Sequence, residues 1–193
     1  MGRPREFDIS IASQDAMNLF WHRGYKGTSL PDLLEGIGLS RGSLYKAFGS
    51  KRALFIEALS RYDEIELKPA IGTLRVQSSH TGALRIKRFF EGAIDYVAQG
   101  DRRGCLLCNA AVGAAANDPE IAKIINHMFE DLTAGFMVAL RDCDPFKGVN
   151  DNELRARADG LTMSYVGLRV LARGGSPISK LKQAAAASLQ DLA

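Results

Sequence analysis

The chain holds few of the residues on which enzymes and secreted frameworks depend. Three histidines and three cysteines are spread over 193 residues, with no His–carboxylate pairing at metal-hydrolase spacing. There is no G-x-S-x-G nucleophile turn and no phosphate-binding loop. Catalysis is therefore not expected, nor a resident metal or cofactor. An odd cysteine count argues against a disulfide framework. No apolar run approaches the ~20 residues that span a bilayer, and the opening MGRPREFD lacks a secretory apolar stretch. A cytoplasmic protein with no membrane partner is expected.

Neither sign of charge dominates, but the small excess is placed unevenly. The net charge is +3. Residues 1–52 hold eight Lys/Arg against five acids, whereas the remainder is balanced at 17 each. The whole excess thus lies in the first quarter of the chain, as binding to a polyanion favours.

That quarter contains a recognisable arrangement, KGTSLPDLLEGIGLSRGSLYKAFGSKR at 26–52. Ile9, Ala12, Ala16, Leu19 and Phe20 mark a first amphipathic helix ending near Gly24. Ser29 with Asp32 forms a capping-box signal, and Pro31 suits a first helical turn. After a turn at Gly36-Ile37-Gly38, Ser40 caps a third helix that stops near Gly49. Two short helices joined by such a turn form a helix-turn-helix, whose second helix enters the DNA major groove. Leu44, Ala47 and Phe48 suit its buried face. Arg41 and Lys46 can pair with guanine edges, Ser40 and Ser43 with either kind of edge, and Gly42 permits close approach. Tyr45, Thr28, Ser29 and Lys51 suit phosphates, and Arg3 in the basic N-terminal segment joins them.

Helical periodicity continues to the end, giving an all-α fold. Ser50 caps a fourth helix with Leu54, Phe55, Ala58, Leu59, Tyr62 and Ile65 on one face; Pro69 and Gly72 should kink or end it. Residues 77–82 read as a loop. Further helices follow over Leu84–Val97, Cys105–Ala116 and from Pro119 to about Cys143. Two domains are expected: a three-helix DNA-binding domain at 1–49 and a larger effector-binding and dimerisation domain at 50–193. Leu154, Ala158, Leu161, Tyr165 and Leu168 form a helix-packing stripe, continued by Ile178, Leu181 and Ala185 on the last helix. Either stripe could cover the protomer's own core; flanking small and apolar residues favour a two-fold homodimer interface.

Residues 2–59 resemble the DNA-binding domain of TetR-family transcriptional regulators, through LFWHRGYKGTSL (19–30), GLSRGSLYKAF (38–48) and GSKRALF (49–55). The resemblance implies a homodimer on palindromic double-stranded operator DNA, usually a repressor, released when a small effector in the C-terminal domain moves the heads out of register. Phe89, Phe90, Tyr96, Asn109, His127, Met128, Phe136 and Met137 are candidates for lining an effector pocket, and His127 for a hydrogen-bonded core position. The segment GCLLCNAAV (104–112) is similar to one in a branch of the family that includes thiol-based sensors. Cys105 would be the reactive thiol there, activated by a helix N-terminus and by Arg102 and Arg103, with Cys108 or Cys143 resolving. Inert core packing of Cys105 and Cys108, or a weak metal site, are the alternatives.

Overall fold

Asp8 opens the first helix by accepting hydrogen bonds from the N–H groups of Ser10 and Ile11, donors that no earlier turn can satisfy. The structure is a computed structural model and describes residues 8–76 and 80–192. Helix α1 (Ile9–Gly27) buries Ala12, Ala16, Met17, Phe20 and Trp21. Its helical course breaks at Gly24, with φ 73° and ψ 170°, a conformation open to a residue without Cβ.

Helix α2 (Leu30–Ile37) starts at a reciprocal capping box. Asp32 N–H donates to Ser29 Oγ at 3.2 Å, and Ser29 N–H to the Asp32 carboxylate at 2.7 Å. Ser40 caps α3 (Arg41–Phe48) and Ser50 caps α4 (Lys51–Tyr62), each accepting from the backbone three residues on. These contacts satisfy donors that would otherwise end unpaired.

The fourth helix does not end where the sequence predicts. A π turn, Asp63–Leu67, carries it into α5 (Lys68–Arg75). The Lys68 N–H reaches back five residues to the Asp63 carbonyl, and Pro69 then falls in the first turn of α5, where its missing N–H costs nothing. The wider turn also shifts the register. Ile65, expected on the apolar face, is 42% exposed, and Leu67 is buried instead.

Helices α6 (Gly82–Ala98), α7 (Leu106–Val112), α8 (Pro119–Arg141), α9 (Asp151–Arg173) and α10 (Ile178–Ser188) complete the body. The helix expected over 105–116 is shorter. It stops at extended Gly113 and resumes as a 3₁₀ turn, Ala114–Asn117. Of the loop expected at 77–82, residues 77–79 lie outside the described residues. The core runs without a break from Leu33 and Leu44 in the head (α1–α3), through Phe55 and Tyr62, to Phe90, Phe136 and Leu161 in the body.

The expected dimer stripe is core. Leu154, Ala158, Leu161 and Leu168 are at most 4% exposed, and Leu181 and Ala185 are also buried. Helix α9 packs on α8 and α10, and α10 on α6, which closes that face within one chain. Tyr165 and Ile178 are half-buried and pack on the same core. The free apolar surface of α9 lies elsewhere, at Met163, Val170 and Leu171, and α10 adds exposed Ala184, Ala186 and Ala187.

One close approach makes a stability prediction. A Cβ at Gly82 would sit 1.8 Å from the Ala139 carbonyl oxygen, a backbone atom that cannot rotate away. Gly82→Ala should destabilise the fold by about 3 kcal/mol, read as a lower urea midpoint. An unchanged midpoint would show that α6 does not pack on α8 this closely.

Candidate nucleic-acid interface

Helix α3 buries Leu44 completely and half-buries Ala47 and Phe48. Its opposite face is open: Ser40, Arg41, Gly42, Tyr45 and Lys46 are exposed, and Ser43 is half-buried. Arg41 lies 5.7 Å from the Tyr45 ring centre. Among the described residues neither Arg41 nor Lys46 forms an ion pair. The Ser40 and Ser43 hydroxyls lie 2.9 Å apart and are bonded to each other, with Ser40 also capping the helix; the face is polar, and its two cations are free of ion pairs, as a base-reading helix requires.

The expected phosphate contacts divide. Lys51, at the start of α4, holds its ammonium 4.6 Å over the Tyr25 ring, and burial pulls its pKa down. Ser29 is exposed, but its hydroxyl is already bonded to Asp32 at 2.6 Å. Thr28 must be corrected. Its side chain is fully buried and its hydroxyl donates to the Gly24 carbonyl at 2.8 Å, closing the broken end of α1 instead of facing a partner. Arg3 lies outside the described residues. Arg23 pairs with Asp32 at 2.6 Å, and Arg52 with Asp118 and Glu120, so these cations fasten α1 to α2 and α4 to the start of α8.

A second set of contacts joins the head to the body. The Trp21 indole N–H donates to the Gly104 carbonyl at 3.1 Å, and the same oxygen accepts from the Arg169 guanidinium. Arg103 stacks over the Trp21 ring at 3.9 Å. Arg173 donates to the carbonyls of Arg103, at 2.6 Å, and His22, at 3.1 Å. Trp21 meets Tyr62 edge to face at 4.9 Å, and the Tyr62 hydroxyl donates to Cys105 Sγ at 3.2 Å.

Cys105 is 2% exposed. A hydrogen bond from Cys108, the Arg169 charge and the Tyr62 hydroxyl outweigh its burial and lower its pKa to about 6. Cys108, whose proton Cys105 holds, is pushed up. The expected activators are displaced. Arg103 pairs with Asp101, and Arg102 donates to the carbonyls of Ala172 and Ser176. The cation facing the thiol is Arg169, from α9. Cys143 sits apart, its thiol donating to the Ala139 carbonyl, with burial pushing it up to about 11.

The expected effector lining is also revised. Phe89, Phe90 and Phe136 pack with Tyr165 at centroid distances of 4.8–6.1 Å, filling the body's centre. Met128 is buried and Met137 half-buried against the same core. Tyr96 is 46% exposed, its hydroxyl 3.4 Å from Glu66. His127 is neither core nor lining: its side chain is 77% exposed, 3.9 Å from Asp131 one turn on.

A profile described as "Bacterial regulatory proteins, tetR family" matches residues 14–58. The chain is 30% identical to the uncharacterized HTH-type transcriptional regulator YezE of Bacillus subtilis (strain 168), each covered in full. The chain belongs to the TetR family. Another family relative, the HTH-type transcriptional repressor ComR of Escherichia coli (strain K12), is 29% identical over 98% of this chain and 90% of its own. A cysteine-substituted TetR-family regulator, CifR, complexed with 26-bp double-strand operator DNA superposes with a TM-score of 0.85, at 26% identity and full coverage of both chains. This TetR-family member is a DNA-binding transcriptional regulator. None of its described helices is long and apolar enough to cross a membrane.

Arg41 and Lys51 should separate reading from anchoring. Arg41→Ala is expected to cost about 1–3 kcal/mol on the cognate duplex and to relax base preference, whereas Lys51→Ala weakens all duplexes alike. Gel-shift titrations on cognate and scrambled DNA distinguish the two; equal losses for both variants on both duplexes would reject the division.

Proposed function

We propose that two copies of this chain form a two-fold homodimer that represses transcription in the cytoplasm by occupying a palindromic operator, and that modification of Cys105 releases it. The exposed cationic face of α3, where Arg41 and Lys46 form no ion pair among the described residues, carries the DNA part of this reading. This reading divides the chain into a DNA-binding domain at 1–49 and an effector-binding and dimerisation domain at 50–193, the second beginning at the helix that Ser50 caps. Each head would read one half-site, with centres one turn, ~34–36 Å, or a multiple of it apart. The free small and apolar face of α9 and α10 supports the pairing. Val170→Glu, which adds a charge to an exposed position, should leave the fold intact and yield monomers in sedimentation; a persistent dimer would place the interface elsewhere.

The thiol part rests on a buried charge. Arg169 is 7% exposed, pairs with no carboxylate among the described residues, and has its Nε unpartnered. Tyr165, Cys105, Tyr62 and Cys108 surround it, the Tyr96 ring lies 5.9 Å away, and the Asp101 carboxylate, already paired with Arg103, feels its charge from further off. Burial pushes both tyrosines up, so they stay neutral. A guanidinium out of water needs a counter-charge, and the Cys105 thiolate supplies it. Removing one partner of a buried pair costs ~3–5 kcal/mol. A small oxidant does this: the thiolate attacks one peroxide oxygen, hydroxide leaves, and a neutral sulfenic acid remains. Cys108 can then condense with that sulfur, with loss of water. Arg169 loses its counter-charge while bonded to the carbonyl that also holds Trp21, and α1 is disturbed.

The pH dependence follows in sign. The folded pKa of Cys105, about 6, lies below its ordinary 9.0. Its stabilising contribution is therefore present in full above about 9.0 and is lost as pH falls through about 6. Ultraviolet titration of the thiolate should show a midpoint near the lower value, moved upward by Arg169→Met; hydrogen peroxide should release operator from the wild type, whereas Cys105→Ser, which also lacks the counter-charge, should bind operator weakly before and after peroxide. An ordinary midpoint, or wild-type operator affinity in Cys105→Ser, would overturn the thiol reading and leave the DNA reading intact.

A further inference from the structure

A second group of cations lines an open cleft of about 660 Å³, where α1 meets the loop before α7 and the last turn of α9. His22 stands on the head side, Asp101, Arg102 and Arg103 on the loop, and Arg173 on α9. Gly100 adds no side chain to it. His22, Arg102 and Arg173 are exposed, so their side chains are open to a ligand. None of the α3 residues that face outward belongs to this lining.

Its charges do not balance. Arg103 is already engaged, since its Nε and Nη2 grip both oxygens of the Asp101 carboxylate. Arg102 and Arg173 form no ion pair among the described residues and bond only to backbone carbonyls. Those bonds cross. Arg102 donates to the carbonyl of Ala172, the residue before Arg173, at 3.4 Å and to that of Ser176 at 3.3 Å. Arg173 donates to the carbonyl of Arg103, the residue after Arg102, at 2.6 Å. Two guanidinium groups are thus held side by side, where like charges repel. The Arg102 bonds are longer than usual for N–H···O and use Nη1 alone, so its Nε and Nη2 are left to donate. Arg173 keeps its Nε. Guanidinium forks match the oxygens of a phosphate. A carboxylate would balance one of the two charges, whereas a phosphate monoester, with about two negative charges at neutral pH, balances both.

We propose that this cleft is an effector site for phosphate monoesters, the dianionic phosphate held between Arg102 and Arg173 and bordered by His22. The position gives such a ligand a hold on the head. Arg173 also donates to the carbonyls of Trp21 and His22, in the last turn of α1 before it breaks at Gly24. Carbonyls at the end of a helix lack intrahelical partners, and Arg173 caps these from the body. A phosphate on the same guanidinium therefore binds at the joint between head and body. It favours the arrangement in which Arg102 and Arg173 stay together, because it removes their repulsion. If operator prefers one arrangement, phosphate must change operator affinity by the same factor by which operator changes affinity for phosphate. The site takes no side chain from the thiol cluster and does not rest on its chemistry.

The test is a phosphorus NMR titration of phenyl phosphate into the full chain at physiological ionic strength, with and without operator duplex. Saturable binding is expected, about tenfold weaker in Arg102→Gln and unchanged in Arg41→Ala, which alters only the DNA-reading face. If Arg102→Gln does not fold, His22→Glu sets a negative charge at the exposed head side and should weaken binding to a similar degree. Phenylsulfonate, with the same ring and a single charge, should compete about tenfold less well. No saturable binding, or undiminished binding in the cleft variant, overturns the site. A loss in Arg41→Ala equal to that in Arg102→Gln places the phosphate on α3 and overturns it too. Equal competition by phenylsulfonate overturns the dianion as ligand class. Equal affinity with and without operator overturns the regulatory role.

Discussion

The Gly104 carbonyl oxygen is the polar joint between the first helix and the body, set in a core that runs through both. It accepts from the indole N–H of Trp21 in α1 and from the guanidinium of Arg169 in α9. A carbonyl oxygen has two lone pairs and can serve both donors without strain, but neither donor is easily replaced. Trp21 is 3% exposed and Arg169 7%, so a partner lost at Gly104 is not made good by water. Gly104 itself has a φ of 73°, and a Cβ there would lie 3.1 Å from Arg173 Cβ. The backbone conformation that aims the carbonyl and the close approach of α9 both select glycine. The next residue is Cys105. A change at that sulfur therefore begins one residue from the bond that holds the head.

The same cluster shows why a charge can be kept in the interior. Arg169 would be a liability in a purely structural core, because desolvation costs several kcal/mol and an apolar residue of similar volume does the same packing. Around it stand Tyr62 and Tyr165, kept neutral by burial, the thiols of Cys105 and Cys108, and the Tyr96 ring. In the proposed reading the counter-charge is the Cys105 thiolate, which is chemically reactive, unlike a carboxylate. A buried Arg–Asp pair would be unresponsive, whereas an Arg–thiolate pair would keep the charge balanced only while the sulfur remains unmodified.

The sequence discloses this molecule unevenly, for a physical reason. Caps are legible because their partners are three residues apart: Ser29 with Asp32, Ser40 with Ser43 and Ser50 with Ala53 all form as their spacing implies. The outward face of α3 is legible in the same way, since Leu44 fixes which side is buried. The α9 stripe is legible as a buried face, but periodicity does not say whether the covering helix belongs to the same chain. Arg169 is invisible at that level. Its neighbours Leu168 and Val170 mark an ordinary helix, and its partners lie at 62, 104 and 105. Proximity in sequence put Arg102 and Arg103 beside the thiol; the fold turns one toward α9 and the other onto Trp21. His127 fails in the opposite direction, since its apolar neighbours suggested burial and the helix turns it outward.

Helix α7 links the thiol to the head. It is seven residues long, too short to be stable on its own helical hydrogen bonds. Its position is set by what it touches: Cys105 and its partners at the beginning, α1 and α4 along one side, and α8 beyond. A segment placed by its contacts moves when any contact changes, whereas a long helix such as α8 would resist. Leu106, Leu107, Cys108 and Ala110 bury it against α1, α4, α8 and α9. In the proposed reading, a charge lost at its start reaches the DNA-reading helix through α1, the helix that Trp21 anchors and Gly24 interrupts.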